Sequence, residues 1–238
     1  MVLIQSSQGR TTPARASRVV ASTLLVALGW LASGSAYAGF FIPKDVTMVM
    51  GSWTPGERTA EIAYGFTREV SGSIAFVRRF DAVHGGRHRE RTDLVLGQAA
   101  LLLVRHQLPD GIGNAYVYGG PLAARNARTE DTRYGVHGGL WADYETRWVY
   151  TRASWHGYRY AGRSRSETVL QAMLAPYAAD YEDIASWGGV QLRKKTGQSQ
   201  VEVTPYLRFF SKRWWIDAGV SVNRQNRNDL FVNLMFTF

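Results

Sequence analysis

Cysteine is absent from the chain, which excludes a disulfide framework, thiolate metal sites and a cysteine nucleophile together. Methionine is scarce, at five residues including the initiator, and no Met-rich run suits a soft copper site. Nor is there an apolar stretch of the roughly 20 residues that a helix needs to cross a bilayer. The longest such run, residues 19–31, falls short. No glycine-rich nucleotide loop, zincin helix or redox-cofactor motif occurs, so no cofactor is expected. Neither a long helical pattern nor a linker interrupts the chain after residue 39, and one domain is expected there.

Acidic residues are also missing from residues 1–38, where Arg10, Arg15 and Arg18 precede or open the apolar run and Ala36-Tyr37-Ala38 follows it. A basic start, an apolar middle and an A-x-A end predict an export signal cleaved after Ala38. The mature domain then runs over residues 39–238. An exported chain with no helical span belongs to the periplasm, the medium or the outer membrane. The formal charge of +9 counts Arg10, Arg15 and Arg18, which leave with the signal. Export makes nucleic acid an unexpected partner despite the basic balance, so the placement of the charge matters more than its total.

What the mature region does contain is short aromatic or β-branched runs separated by turn residues. They predict strands over 46–53, 58–70, 73–80, 92–106, 114–122, 133–145, 147–160, 166–177, 186–194, 200–210, 213–223 and 230–238. Turn chemistry lies between them at Thr54-Pro55-Gly56, Ser71-Gly72, Gly85-Gly86, Pro109-Asp110-Gly111, Gly162 and Gly197. Side chains alternate faces along a strand. Ala60, Ile62, Tyr64 and Phe66 thus oppose Glu61 and Glu69, and Val203, Leu207 and Phe209 oppose Glu202, Tyr206 and Arg208. A water-soluble sandwich would alternate in the same way.

The last strand separates the two. In Leu230-Phe231-Val232-Asn233-Leu234-Met235-Phe236-Thr237-Phe238, every second residue counted back from the terminal aromatic is apolar. This pattern resembles the closing strand of bacterial outer-membrane β-barrels. The resemblance implies an all-β fold, an antiparallel up-and-down transmembrane barrel of about 12 strands, with 10 as the alternative, because such barrels cross an even number of times. It further implies that Phe238, Phe236, Leu234 and Val232 form a signal read by the barrel-assembly machinery, and that outer-membrane lipids surround the protein. The abundant Trp and Tyr suit the aromatic girdles of such barrels.

With the first strand rising from the periplasm, the outer turns hold Arg58, then Arg87, Arg89 and Arg91, Arg125 and Arg128, Arg163 and Arg165, Lys194 and Lys195, and Arg224 and Arg227. The inner turns hold Asp110, Glu145 and Asp180-Tyr181-Glu182-Asp183, with Lys212 and Arg213 the basic exception. Cations on the outer side predict lipopolysaccharide, whose phosphates suit the planar arginine fork, as a partner.

Residues expected to line the lumen are Glu61, Glu69, Asp93, His137, Asp143, Arg152, Gln191, Arg193, Glu202, Arg208 and Asp217. His84 and His88 bracket Gly85-Gly86-Arg87, whose cation works against a divalent ion, so no metal site is expected. Ser154 and His156 share a strand face, and Asp143 lies on the face of His137, yet neither pair makes a full nucleophile, base and orienting group. An enzyme is not expected. The first functional expectation is a small channel or passive transporter for small solutes; the second is a non-conducting barrel whose basic outer turns bind lipopolysaccharide or a surface polymer.

Overall fold

The structure, a computed structural model, describes residues 42–82, 89–179, 183–223 and 229–238. The expected signal peptide, His84, Arg87 and His88, residues 180–182 of the acidic run, and Arg224 and Arg227 lie outside the described residues. The chain forms β1 (Thr47–Thr54), β2 (Glu57–Gly65), β3 (Val70–Ala82), β4 (Arg89–Leu108), β5 (Gly111–Asn126) and β6 (Thr132–Thr146). It continues with β7 (Val149–Tyr160), β8 (Arg163–Leu174), β9 (Ala185–Lys195), β10 (Glu202–Ser211), β11 (Trp214–Val220) and β12 (Leu230–Thr237). Each strand pairs with its neighbours in sequence, and β1 pairs antiparallel with β12 to close the ring.

Closure runs the length of β1, from Met48 opposite Thr237 to Trp53 opposite Val232. Thr47 N donates to Phe238 O at 3.2 Å and Phe238 N donates back to Thr47 O at 2.9 Å. Both ends of the barrel wall therefore meet at one rim. By the convention for outer-membrane barrels, whose two chain ends lie inside, this rim is periplasmic; the connections there at 66–69, 109–110, 147–148 and 212–213 are short, and that at 175–184 is longer.

At the opposite rim β7 and β8 are joined by Ala161 and Gly162, with φ of 50° and 70°. Two consecutive residues at positive φ are what a two-residue turn needs to match the twist of its strands, and glycine takes that conformation freely. The register follows at once, with Tyr160 opposite Arg163.

The alternation sorts the side chains inside out. Ile62, Phe76, Leu140 and Leu207 project outward and are 54%, 61%, 54% and 55% exposed, while Gln191, Thr204, Arg208 and Asp217 point inward and are buried. An apolar exterior around a closed ring is stable only against lipid. A sandwich would bury the apolar series between two sheets instead. The chain is a transmembrane β-barrel of the bacterial outer-membrane type.

One turn differs from the expected place. Ser71 and Gly72 do not turn the chain; they pair within the ladder opposite Gly65 and Tyr64. The turn is at 66–69, where Thr67 Oγ1 accepts from Glu69 N at 3.0 Å and from Val70 N at 2.9 Å. A threonine hydroxyl does there what glycine or proline does elsewhere.

The lipid-facing assignment has a quantitative consequence. Replacing Ile62, in the middle of β2, with arginine should cost about 2–4 kcal/mol of refolding stability in lipid vesicles. The same change at Thr59, which faces the lumen, should cost much less; denaturant titration followed by tryptophan fluorescence reads both.

Candidate functional site

A twelve-strand ring encloses more room than the eight-strand barrels whose interiors ordinary side chains just fill. Long and aromatic side chains occupy it here, in layers.

The outer layer lies just below the rim of the two-residue turns. Glu57 Oε2 accepts from Arg79 Nε at 3.0 Å and sits 3.7 Å from Lys195 Nζ. Lys195 Nζ also reaches Glu167 Oε2 at 3.3 Å. The Arg79 guanidinium lies 4.7 Å from the centre of the Tyr158 ring, and Arg193 Nη2 donates to Glu202 Oε1 at 2.9 Å. Four strands separate β2 from β9 by the shorter way round, so the Glu57–Lys195 pair crosses the lumen instead of running along the wall. Beside it an apolar cluster of Ala75, Val77, Leu94, Leu96, Leu122 and Ala124 closes part of the interior.

Two histidines lie beneath. His137 Nε2 is 3.0 Å from Gly97 O and its Nδ1 is 3.1 Å from His156 Nε2. A carbonyl only accepts, so Nε2 of His137 carries the proton, Nδ1 is the acceptor, and His156 Nε2–H is the donor. The carbonyl can be reached because residue 120 is glycine: a Cβ there would lie 2.1 Å from Gly97 O. His156 stacks on Tyr158 with ring centres 4.1 Å apart.

The inner layer is built on an ion pair. Arg208 Nε and Nη2 donate to Asp217 Oδ1 and Oδ2 at 2.6 and 2.9 Å, and Asp217 has no exposed surface. The same guanidinium lies 4.7 Å from the Trp215 ring centre and 5.2 Å from that of Tyr150. Arg152 stacks over Trp141 at 3.7 Å and reaches Ser154 Oγ at 3.4 Å. Its cross-strand neighbour Asp143 is held elsewhere, accepting from Asn114 Nδ2 and Trp141 Nε1 at 2.7 Å each. Among the described residues, Arg152 makes no ion pair. Against this inner layer is a cavity of about 180 Å³ lined by Thr59, Glu61, Trp141, Tyr150, Arg152 and Asn233, among others.

Of the expected lumen residues, Glu61, His137, Asp143, Arg152, Gln191, Arg193, Glu202, Arg208 and Asp217 occupy the interior or line the cavity. Two do not. Glu69 is exposed in the 66–69 turn, where Thr67 bonds to it. Asp93 projects from the outer wall between buried Thr92 and Leu94 and pairs with Arg78 at 2.8 Å. Its strand carries apolar residues on both faces, so alternation did not mark which side is the lumen.

Among the expected outer-turn cations, Arg128 lies in a turn, Arg58, Arg91, Arg125, Arg163 and Lys194 lie at the outer ends of strands and are exposed, and Arg89 opens β4. Lys195 is corrected: it turns into the lumen. Arg165 is half-buried opposite Tyr158. Sequence reasoning missed Glu57 and Arg79, which are inward charges, and expected Glu145 in an inner turn, whereas it is buried near the end of β6. The phase of the neighbouring apolar residues, Ala60 and Ile62 for Glu57, was the signal that could have placed the first. Ser154 is engaged by Arg152 and His156 by His137, so the two do not form a nucleophile–base pair in this arrangement.

No protein-family model and no curated protein matches the chain. Among solved structures, it is similar to the KdgM porin in complex with disordered oligogalacturonate, at 10% identity and a TM-score of 0.47, covering 81% of this chain and 99% of that one. It is also similar to CdiB from Acinetobacter baumannii, at 8% identity and a TM-score of 0.31, covering 82% of this chain and 60% of that one.

The buried ion pair gives a direct test. Asp217→Asn leaves the Arg208 charge uncompensated and should lower stability by about 3–5 kcal/mol. Replacing both partners with apolar residues of like volume should recover most of that loss, measured by urea unfolding in detergent.

Proposed function

We propose that the barrel is a narrow passage for small solutes across the outer membrane, with selectivity set at Arg152 and Glu61. The observation that carries this reading is the cavity against the inner layer, where Arg152, which makes no ion pair among the described residues, and the anion Glu61 both line the space. Charges of opposite sign facing a confined aqueous space bias which ions enter it. Arg193 and Arg208 contribute less, since Glu202 and Asp217 neutralise them. The outer layer of Glu57, Arg79 and Lys195 is the narrowing a solute must pass, and its long side chains are the part that can yield.

A second reading is favoured by the same layer. Because Glu57 and Lys195 meet across the lumen, a barrel in which the contact never opens is a closed wall, and its outer surface becomes the functional part. Export supports both readings: residues 1–38 act as the signal, and the C-terminal strand with Phe238, Phe236, Leu234 and Val232 is offered to the barrel-assembly machinery.

Planar-bilayer recording of the refolded protein separates them. The passage predicts discrete conductance steps, a shift of selectivity toward cations in Arg152→Ala, and steps enlarged at least about twofold in Lys195→Ala, where the narrowing is relieved. Silence from all three proteins, each shown folded by its heat-dependent gel mobility, would establish the closed barrel. Mass spectrometry of the protein extracted from membranes should find an N-terminus at Gly39.

A further inference from the structure

We propose that the outer wall of β2 to β4 carries a binding site for the phosphate groups of lipopolysaccharide, built on Arg58, Arg78 and Arg91. The site is on the lipid-facing wall and not in the turns, and it is independent of whether the lumen conducts.

These side chains project outward because their neighbours in sequence point in. Glu57 and Thr59 flank Arg58, and buried Val77 and Arg79 flank Arg78. The register then sets them side by side. Arg58 is directly opposite Arg78, and Arg78 is directly opposite Asp93, with Arg125 on the far side of Asp93. Asp93 holds two of the cations in place, with Oδ1 2.8 Å from Arg78 Nε and Oδ2 3.1 Å from Arg91 Nη2. Arg58 is steadied by Phe80, its guanidinium 5.6 Å from the ring centre. Arg125 has its own partner in Glu130 at 3.7 Å and is peripheral.

Two features point to an anionic ligand. Like charges directly opposite on a sheet destabilise it, yet Arg58 faces Arg78 and, among the described residues, Asp93 alone is paired with the cluster of three exposed arginines. A bound anion relieves that repulsion. The level on the barrel identifies which anion. Two to four residues from the three arginines toward the membrane middle the wall turns apolar, at Ile62, Phe76 and Val95, all exposed. The arginines therefore stand where acyl chains give way to headgroups in the outer leaflet, with acyl-chain surface below them. Planar forks at that depth match phosphate oxygens borne on a lipid, bidentately.

The probe is bisphosphorylated lipid A, compared with the same lipid after enzymatic removal of its phosphates, titrated onto the refolded barrel in detergent and counted by native mass spectrometry. The intact lipid should bind one to one, and dephosphorylation should weaken binding at least about tenfold. Arg58→Gln/Arg78→Gln/Arg91→Gln should weaken the intact lipid by a similar factor, while Arg128→Gln, in the turn after β5, should leave it unchanged. Equal binding of the dephosphorylated lipid, or an unaltered titration in the triple variant, would overturn the proposal. So would loss of binding in R128Q alone. Should the triple variant fail the heat-mobility check, Arg91→Gln alone carries the test, because among the described residues this exposed side chain makes a single ion pair; unchanged affinity in that variant would overturn the site as well.

Discussion

Every backbone N–H and C=O of a segment inside lipid must find its partner within the protein, because the hydrocarbon offers none. For a sheet this means no free edge, and the β1–β12 pairing is the contact that removes both edges at once. All else in the molecule is arranged around that condition. The ring fixes which side of each strand meets lipid, the twelve strands fix how wide the interior is, and the interior in turn selects side chains long enough to meet across it. The terminal aromatic, Phe238, sits at the closure itself, bonded through its backbone to Thr47.

The interior shows how charge is accommodated away from bulk water. Arg208 with Asp217, Arg193 with Glu202, and Glu57 with Arg79 and Lys195 each place opposite signs together. Such pairs add little net stability over apolar packing, yet losing one partner is costly. They act more as fixed spacers than as glue. Arg152 departs from the scheme, since it rests on an aromatic face in place of a carboxylate. Stacking compensates part of its desolvation and leaves its hydrogen-bonding edge available to something in the cavity.

Most of the wall could be read from the sequence because a membrane barrel is a repetitive object. Each strand's outward series is mainly apolar and each break needs turn chemistry, so about twelve strands were expected, with ten as the alternative, and twelve are present among the described residues. The misplacements have local causes. Thr67 formed a turn without glycine or proline, which put Glu69 outside the strand. In β4, Leu94 and Leu96 pack inward while Val95 points outward, so hydrophobicity carried no phase and Asp93 was placed on the wrong face. A register shift between Leu102 and Val104 then sets Leu103 and Val104 both outward. The layers themselves were not legible at all. Glu57 and Lys195 are brought together only by the curvature of the closed ring, a relation that no spacing along the chain encodes.

The order of the strands also bears on how the protein assembles. Every pairing but one joins neighbours in the chain, most through turns of a few residues, so hairpins can form locally and quickly, with little chain entropy lost in each. The exception joins the first strand to the last. That step must bring together the two ends of a nearly complete sheet, and until it happens both edges are open to pairing with other chains. Ring closure is thus the slow and exposed moment in the life of this molecule, and the strand that ends in Phe238 is the one on which it waits.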